Sequence, residues 1–170
     1  MADDRKRQPS AGILDSQSVK ASECSSTRGY DAGKKINGIK RHVLVDTMGL
    51  LLMVMVLPAN VQDRDGARLL LKKAMVVYGR IRRIWADGGY AGALVHWTKR
   101  AFDCVLEIVK RSDTAAKFIV LPRRWVVERT FGWLGRYRRL NRSYERRTEV
   151  AQAMVYLAMC RLMLSRWVKH

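Results

Sequence analysis

Cysteine is scarce in this 170-residue chain. Cys24, Cys104 and Cys160 are odd in number and far apart, with no CxxC pair. That excludes a disulfide framework and a paired-cysteine zinc site; free thiols fit a reducing cytosol. Histidine is equally sparse: His42, His96 and His170 share no metal-ligand spacing and read as surface or packing residues. Long hydrophobic runs are missing. The longest, around MGLLLMVMVLPA, is about a dozen residues, short of the ~20 that a membrane-spanning helix needs. The opening MADDRKRQPS is polar and has no signal-peptide core. There is neither an internal repeat nor a low-complexity tract. These absences predict a soluble, cytoplasmic protein. Acid is also in short supply: 15 Asp and Glu face 33 Lys and Arg, for a formal charge of +18. So large an excess points to a polyanionic partner, first of all nucleic acid, with an anionic membrane surface as the second possibility.

What is present suffices for one folded domain. Apolar residues make up 48% of the chain, enough for a real core at this length. Residues 1–11 read as a disordered leader and 12–170 as the domain. GILDSQSVK reads as a short strand with Asp15 at or near its end, and residues 21–38 as a Gly-, Ser- and Lys-rich loop. IKRHVLVDTMGLLLMVMVLPAN reads as two strands around a turn at 46–49, the second buried on both faces. Asp63 or Asp65 could cap a helix running to about Tyr78, with a broad apolar stripe through Leu69, Leu70, Ala74 and Val77. A strand ending at Asp87 in a Gly-Gly turn, a helix over ALVHWTKRAF, a strand at CVLEIVKR and an extended FIVLP follow. Pro122 then admits a helix from about Arg124 to Leu140, and a last helix runs from about Thr148, its candidate cap, to Trp167. A hairpin followed by alternating strands and helices predicts an α/β fold, a mixed sheet with helices on its faces.

Nine arginines crowd residues 123–147, yet Glu128 stands among them. Asp15 and Asp87 are placed alike, each near the end of an apolar strand, where sites gather in open α/β sheets. Three carboxylates brought together would repel one another and resist ionisation. Hard divalent cations reverse that logic because they want oxygen ligands. Two such ions about 3.5–4 Å apart can serve phosphodiester cleavage, while arginines hold the DNA backbone. On residues alone each acid has a competing role, for Glu128 a salt bridge to Arg124. Asp46 reads as a turn residue, Asp63 and Asp65 as helix caps, and Asp31, Asp103 and Asp113 as solvated loop or edge residues.

Five stretches in uninterrupted order, ILDSQSVK, GYDAGKKINGIKRHVLVDTMGLLL, ANVQDRDGARLLL, IWADGGYAG and LPRRWVVERTFGWLGRYRRL, resemble the catalytic region of bacterial insertion-sequence DDE transposases of the group numbered four and five. The resemblance runs from about residue 12 to 160. It implies an RNase H-like fold, two Mg²⁺ ions (Mn²⁺ able to substitute) and cut-and-paste transposition of DNA. Asp15, Asp87 and Glu128 match the family's three acids in order. Around its glutamate the wider group carries a tyrosine, an arginine and a lysine at fixed spacing. Arg124 matches the arginine; Leu121 and Gly135 occupy the tyrosine and lysine positions, and Arg136 is the candidate stand-in for the lysine.

Arg124, Glu128, Gly132 and Gly135 fall on one helical face, with Val127, Phe131 and Leu134 as an adjacent core stripe. The glycines either clear space beside Glu128 for metal and phosphate or let the helix pack tightly on the sheet. Candidate DNA contacts are Arg124, Arg136, Arg138, Arg139 and Arg142, and, in the GKKINGIKRH run, Lys34, Lys35, Lys40 and Arg41. Trp85, Trp97, Trp125 and Trp133 are expected in the core, base stacking being the alternative for the last two. The last helix is apolar nearly all round and is expected to be buried on the sheet or in a dimer interface. The partners implied are DNA ends and target, further copies of the chain, and a separately encoded upstream end-recognition product joined by frameshifting. No helix-turn-helix fits before Asp15, so a truncated remnant is the other expectation. A DNA-binding fragment that inhibits transposition, and a nuclease without a joining step, are the competing functional readings.

Overall fold

The computed structural model describes residues 8–23, 25, 27–109 and 125–168. Arg124, Asp113, Cys24, Pro122 and the extended piece expected at 118–122 lie outside the described residues, as do residues 1–7. Among the described residues six strands, β1 (Ala11–Lys20), β2 (Gly29–Asp31), β3 (Ile36–Val45), β4 (Leu51–Pro58), β5 (Arg83–Ala86) and β6 (Val105–Ile108), form one sheet. Its order is β2-β3-β1-β5-β6, with β4 also paired to β3. β1, β3 and β4 are antiparallel neighbours, while β1–β5 and β5–β6 are parallel. Helices α1 (Asp63–Val77) and α2 (Ala93–Phe102) supply one apolar layer, α3 (Trp125–Gly135) and α4 (Thr148–Trp167) the other.

The alternation of strand side chains divides the core in two. Ile13, Val19, Val43, Val45 and Trp85 point towards Val126, Val127, Leu134 and Val155 of α3 and α4. Leu14, Leu44, Met55, Ile84 and Ala86 point towards Leu70, Leu71 and Ala74 of α1 and Leu94 of α2. Helices on both faces account for the apolar β3–β4 arms. The turn between them is the one expected of Asp46: its carboxylate accepts from the Met48 and Leu50 amides at 2.8 and 2.9 Å, and Gly49 takes φ +80°.

Several expectations need correction. β1 is ten residues long and Asp15 sits in its middle, because β1 continues beside β3 to Lys20 after its pairing with β5 ends at Ile13. Ala11 already belongs to this strand. The loop expected at 21–38 contains β2, which pairs with the start of β3. Neither Asp63 nor Asp65 caps α1; the N-cap is Gln62, without a side-chain bond. Leu69 and Val77 of the expected stripe are exposed, and Leu70 and Ala74 are buried. The helix carrying Glu128 stops at Gly135 rather than Leu140, and Arg138–Leu140 form a separate 3₁₀ turn that buries Leu140. Thr148 begins α4 but Arg147 is its cap residue. α4 buries only the stripe Ala151, Val155, Ala158 and Met159, leaving Leu157, Leu164 and Trp167 exposed. Among the described residues no helix is long and apolar enough to cross a membrane.

Candidate active site

Register brings two of the candidate acids together. β1 and β5 run parallel, with Ile13 opposite Trp85 as the last paired position. Asp15 stands two residues further along β1, and Asp87 two residues further along the chain, the first residue past β5; neighbouring strands lie about 4.8 Å apart. Alternation within β1 puts Asp15 on the face of Ile13, the α3 side of the sheet. Asp15 is half-buried and its carboxylate accepts from the Ser16 amide at 2.7 Å. Asp87, also half-buried, caps a 3₁₀ turn over Gly88–Tyr90 by accepting from the Gly89 amide at 2.9 Å. Tyr90, 1% exposed, closes that turn. Burial pushes its hydroxyl well above the ordinary range, and the nearby charges of Asp15, Asp63 and Asp87 push it further in the same direction.

α3 lies on the same side of the sheet. Val126, Val127 and Leu134 seat it in the core, and the Thr130 hydroxyl donates to the Gly49 carbonyl at 2.8 Å, tying it to the β3–β4 turn. Glu128 is on the exposed side of this helix. A Cβ added at Gly132 would meet nothing within 4 Å, and at Gly135 only Asn141 Oδ1 at 3.8 Å. Among the described residues, neither glycine packs tightly on the sheet. Among the described residues no three of His, Cys, Asp and Glu gather closely enough to enclose a metal ion. Asp15, Asp87 and Glu128 thus do not form a closed cage. The donor chemistry still suits a hard cation: Asp15, Asp87 and Glu128 offer carboxylate oxygen, whereas Cys104 and His42 are buried in the opposite layer.

Comparison with known proteins gives this geometry a family. Residues 6–163 match the family described as Transposase DDE domain. The chain belongs to the DDE transposase family. It is 31% identical over 130 residues to a candidate transposase of insertion sequence element IS402 from Burkholderia cepacia. That match takes in 72% of this chain and 61% of the relative, so the chain spans under two thirds of the relative's length. Among solved structures, the catalytic core domain of BIV integrase superposes with a TM-score of 0.51 at 13% identity, over 88% of this chain and 80% of that one. The mixed sheet flanked by helices is accordingly RNase H-like.

The cations of this DDE domain fall into two groups. Arg136, Arg138, Arg139 and Arg142 are exposed beyond the end of α3, Arg139 paired with Glu145 at 2.9 Å. Lys34 and Lys35 are exposed in the β2–β3 turn. Lys40 and Arg41 are not available to DNA. Both lie inside β3 with helices on either side, 5% and 2% exposed. Arg41 donates to the Leu140 carbonyl at 2.8 Å, and burial pushes its guanidinium down to about 10. The Lys40 ammonium meets Asp31 and Asp63 at 3.3 and 3.1 Å. Asp31 is thus no solvated loop residue. Burial opposes its charge, but the Ser18 hydroxyl, the Lys34 amide and Lys40 outweigh this and hold it at about 2.

Trp85 is core, as expected, and Trp97 packs half-buried against Phe102. Trp125 and Trp133 are not core. They clasp the Arg129 guanidinium, 4.2 and 4.7 Å from their ring centres, with Arg166 stacked 4.0 Å from Trp133. Their i, i+4, i+8 spacing with Arg129 is the signal that could have revealed this. Ser16, next to Asp15, and Tyr90, three residues after Asp87, could have been found by proximity in the sequence, whereas only the fold brings Asp63 to them.

Proposed function

We propose that this DDE domain cleaves a DNA phosphodiester at the ends of a mobile element and joins the freed 3′-hydroxyl to target DNA. The observation that supports this reading is the parallel pairing of β1 with β5, which brings the chain at Asp15 next to the chain at Asp87 just past β5, with the helix bearing Glu128 packed on the sheet. Asp15, Asp87 and Glu128 would hold two Mg²⁺ ions, with Mn²⁺ able to substitute. Such ions lower the pKa of a bound water and stabilise the charge on the leaving oxygen. Among the described residues, Gly132 leaves room beside Glu128 for a phosphate. The exposed arginines at 136, 138, 139 and 142 would grip the backbone without reading sequence; Lys34 and Lys35 would extend that grip. Arg124 belongs to the reading on its sequence position alone. Assembly of two or more copies on DNA is part of the same proposal, and the exposed apolar row of α4 supports it.

The test is nicking of a supercoiled plasmid by the full chain in Mg²⁺ or Mn²⁺. The wild type is expected to nick, and Asp87→Asn to lose at least a thousandfold in rate with its circular dichroism spectrum unchanged. Equal activity in the two proteins would overturn the assignment of Asp87. Nicking without joining of a 3′-hydroxyl oligonucleotide would reduce the function to that of a nuclease.

A further inference from the structure

The face of β1 turned away from α3 carries a charge network to which, Lys34 apart, the proposed DNA contacts give no role. Ser16 and Ser18 follow Asp15 by one and three residues in the same strand but project to this other face. The Ser16 hydroxyl donates to Asp63 Oδ1 at 2.8 Å and the Ser18 hydroxyl to Asp31 Oδ2 at 2.6 Å. Lys40 stands between the two acids. Its three N–H groups have three acceptors: Asp31, Asp63 and the Val61 carbonyl, the last at 2.9 Å. Lys34 completes the set, its amide donating to Asp31 at 3.1 Å and its ammonium to the Ser16 carbonyl at 3.4 Å. Ser16 is therefore held at hydroxyl and carbonyl while its own amide donates to the Asp15 carboxylate at 2.7 Å. The Tyr90 hydroxyl is buried beside the same group, within the influence of Asp15, Asp63 and Asp87.

Such a network is a poor way merely to fill a core. A buried ion pair is often no more stabilising than apolar residues of the same volume. What it provides here is direction. Both serines belong to the strand that carries Asp15 and tie the stretch just beyond it to Asp63 and Asp31, so the strand can neither twist nor slide there without breaking these bonds. We infer that Lys40, Asp31 and Asp63, acting through Ser16 and Ser18, are positioning residues that fix the Asp15 carboxylate for metal binding and DNA cleavage. The inference rests on the reading of Asp15 as an active-site acid and adds residues to it.

The test uses the full chain with Ser16→Ala, Ser16→Thr and Asp63→Asn. Plasmid nicking by Ser16→Ala is expected to fall about tenfold or more, the usual cost of removing a group that orients a metal ligand. Its Kd for DNA and its Tm should stay close to wild type, and Ser16→Thr should restore most of the rate. Mn²⁺ binding to the DNA-free protein, followed by electron paramagnetic resonance, should weaken about tenfold in Ser16→Ala. Asp63→Asn keeps an acceptor for Ser16 but breaks the pair with Lys40, and should show the same losses; it serves if Ser16→Ala does not fold. Wild-type nicking and Mn²⁺ affinity in Ser16→Ala would overturn the inference. So would a loss of rate matched by an equal loss of DNA affinity. If the wild type nicks no DNA but binds Mn²⁺, the cleavage reading falls, and a weakened Mn²⁺ affinity in Ser16→Ala still upholds the positioning role. If the wild type binds no Mn²⁺, both fall.

Discussion

Residues 34–41 and residues 136–147 are both rich in cations, and the molecule treats them in opposite ways. In the first, only Lys34 and Lys35 reach solvent; Lys40 and Arg41 are enclosed within β3. In the second, every arginine is exposed. The two are physically joined, because buried Arg41 donates to the Leu140 carbonyl in the midst of the exposed arginines. Ser143 adds to the anchor, its amide donating to the Lys20 carbonyl at 2.8 Å and its carbonyl accepting from the Ser22 amide at 2.8 Å. A cation in a covered strand holds the scaffold, and a cation beyond a helix end remains for a polyanion. The buried kind presents the exposed kind.

Substitutions can sharpen or break this contrast. The largest effect is expected at Lys40→Met, which leaves Asp31 and Asp63 facing each other without their cation. Removing one partner of a buried pair costs about 3–5 kcal/mol, visible as a large drop in the denaturant midpoint. A loss below 1 kcal/mol would mean that Lys40 is not the centre of the network. Next comes acid. Burial pushes His42, fully enclosed beside Gly66, down to about 4. The unfolded chain therefore takes up a proton near pH 6.5 that the folded one refuses until about pH 4. The stability from this group is complete above pH 6.5 and declines as pH falls towards 4, by on the order of 3 kcal/mol. His42→Leu should flatten denaturation midpoints across that window; an unchanged slope would contradict the assignment. Replacing Arg136, Arg138 and Arg142 together by alanine should leave stability within about 0.5 kcal/mol. It should weaken DNA binding and make the slope of log affinity against log salt shallower by roughly 3. A stability loss comparable with that of Lys40→Met would erase the contrast. Gly132→Leu, beside Glu128 on α3, should depress plasmid nicking while changing the thermal midpoint by no more than a few degrees.

How much of this could be read from the string of residues depended on whether the cause was local. The turn at Asp46 was legible because its carboxylate bonds to amides two and four residues on. The positions of Asp15 and Asp87 relative to apolar strands were legible in outline, but their adjacency comes from parallel pairing between segments far apart in the chain. β2 escaped because three residues carry no periodic signal and its partner is fixed by tertiary pairing. Lys40 read as a surface charge because Asp31 and Asp63, which justify its burial, reach it only in the fold. The spacing of residues 138–140 continues the preceding helix, but the chain turns after Gly135 and buries Leu140 by another route. On α4 the apolar pattern is nearly uniform, and the sheet takes only one stripe of it.

The central claim is that Asp15, Asp87 and Glu128 act as one set of ligands. Mn²⁺ affinity of the DNA-bound full chain, measured for the wild type and for Asp15→Asn, Asp87→Asn and Glu128→Gln, tests it most directly. Each single substitution should weaken binding at least tenfold while leaving DNA affinity in the absence of metal unchanged. Wild-type Mn²⁺ affinity in Glu128→Gln would contradict the account, leaving two aspartates and a helix that only packs beside them.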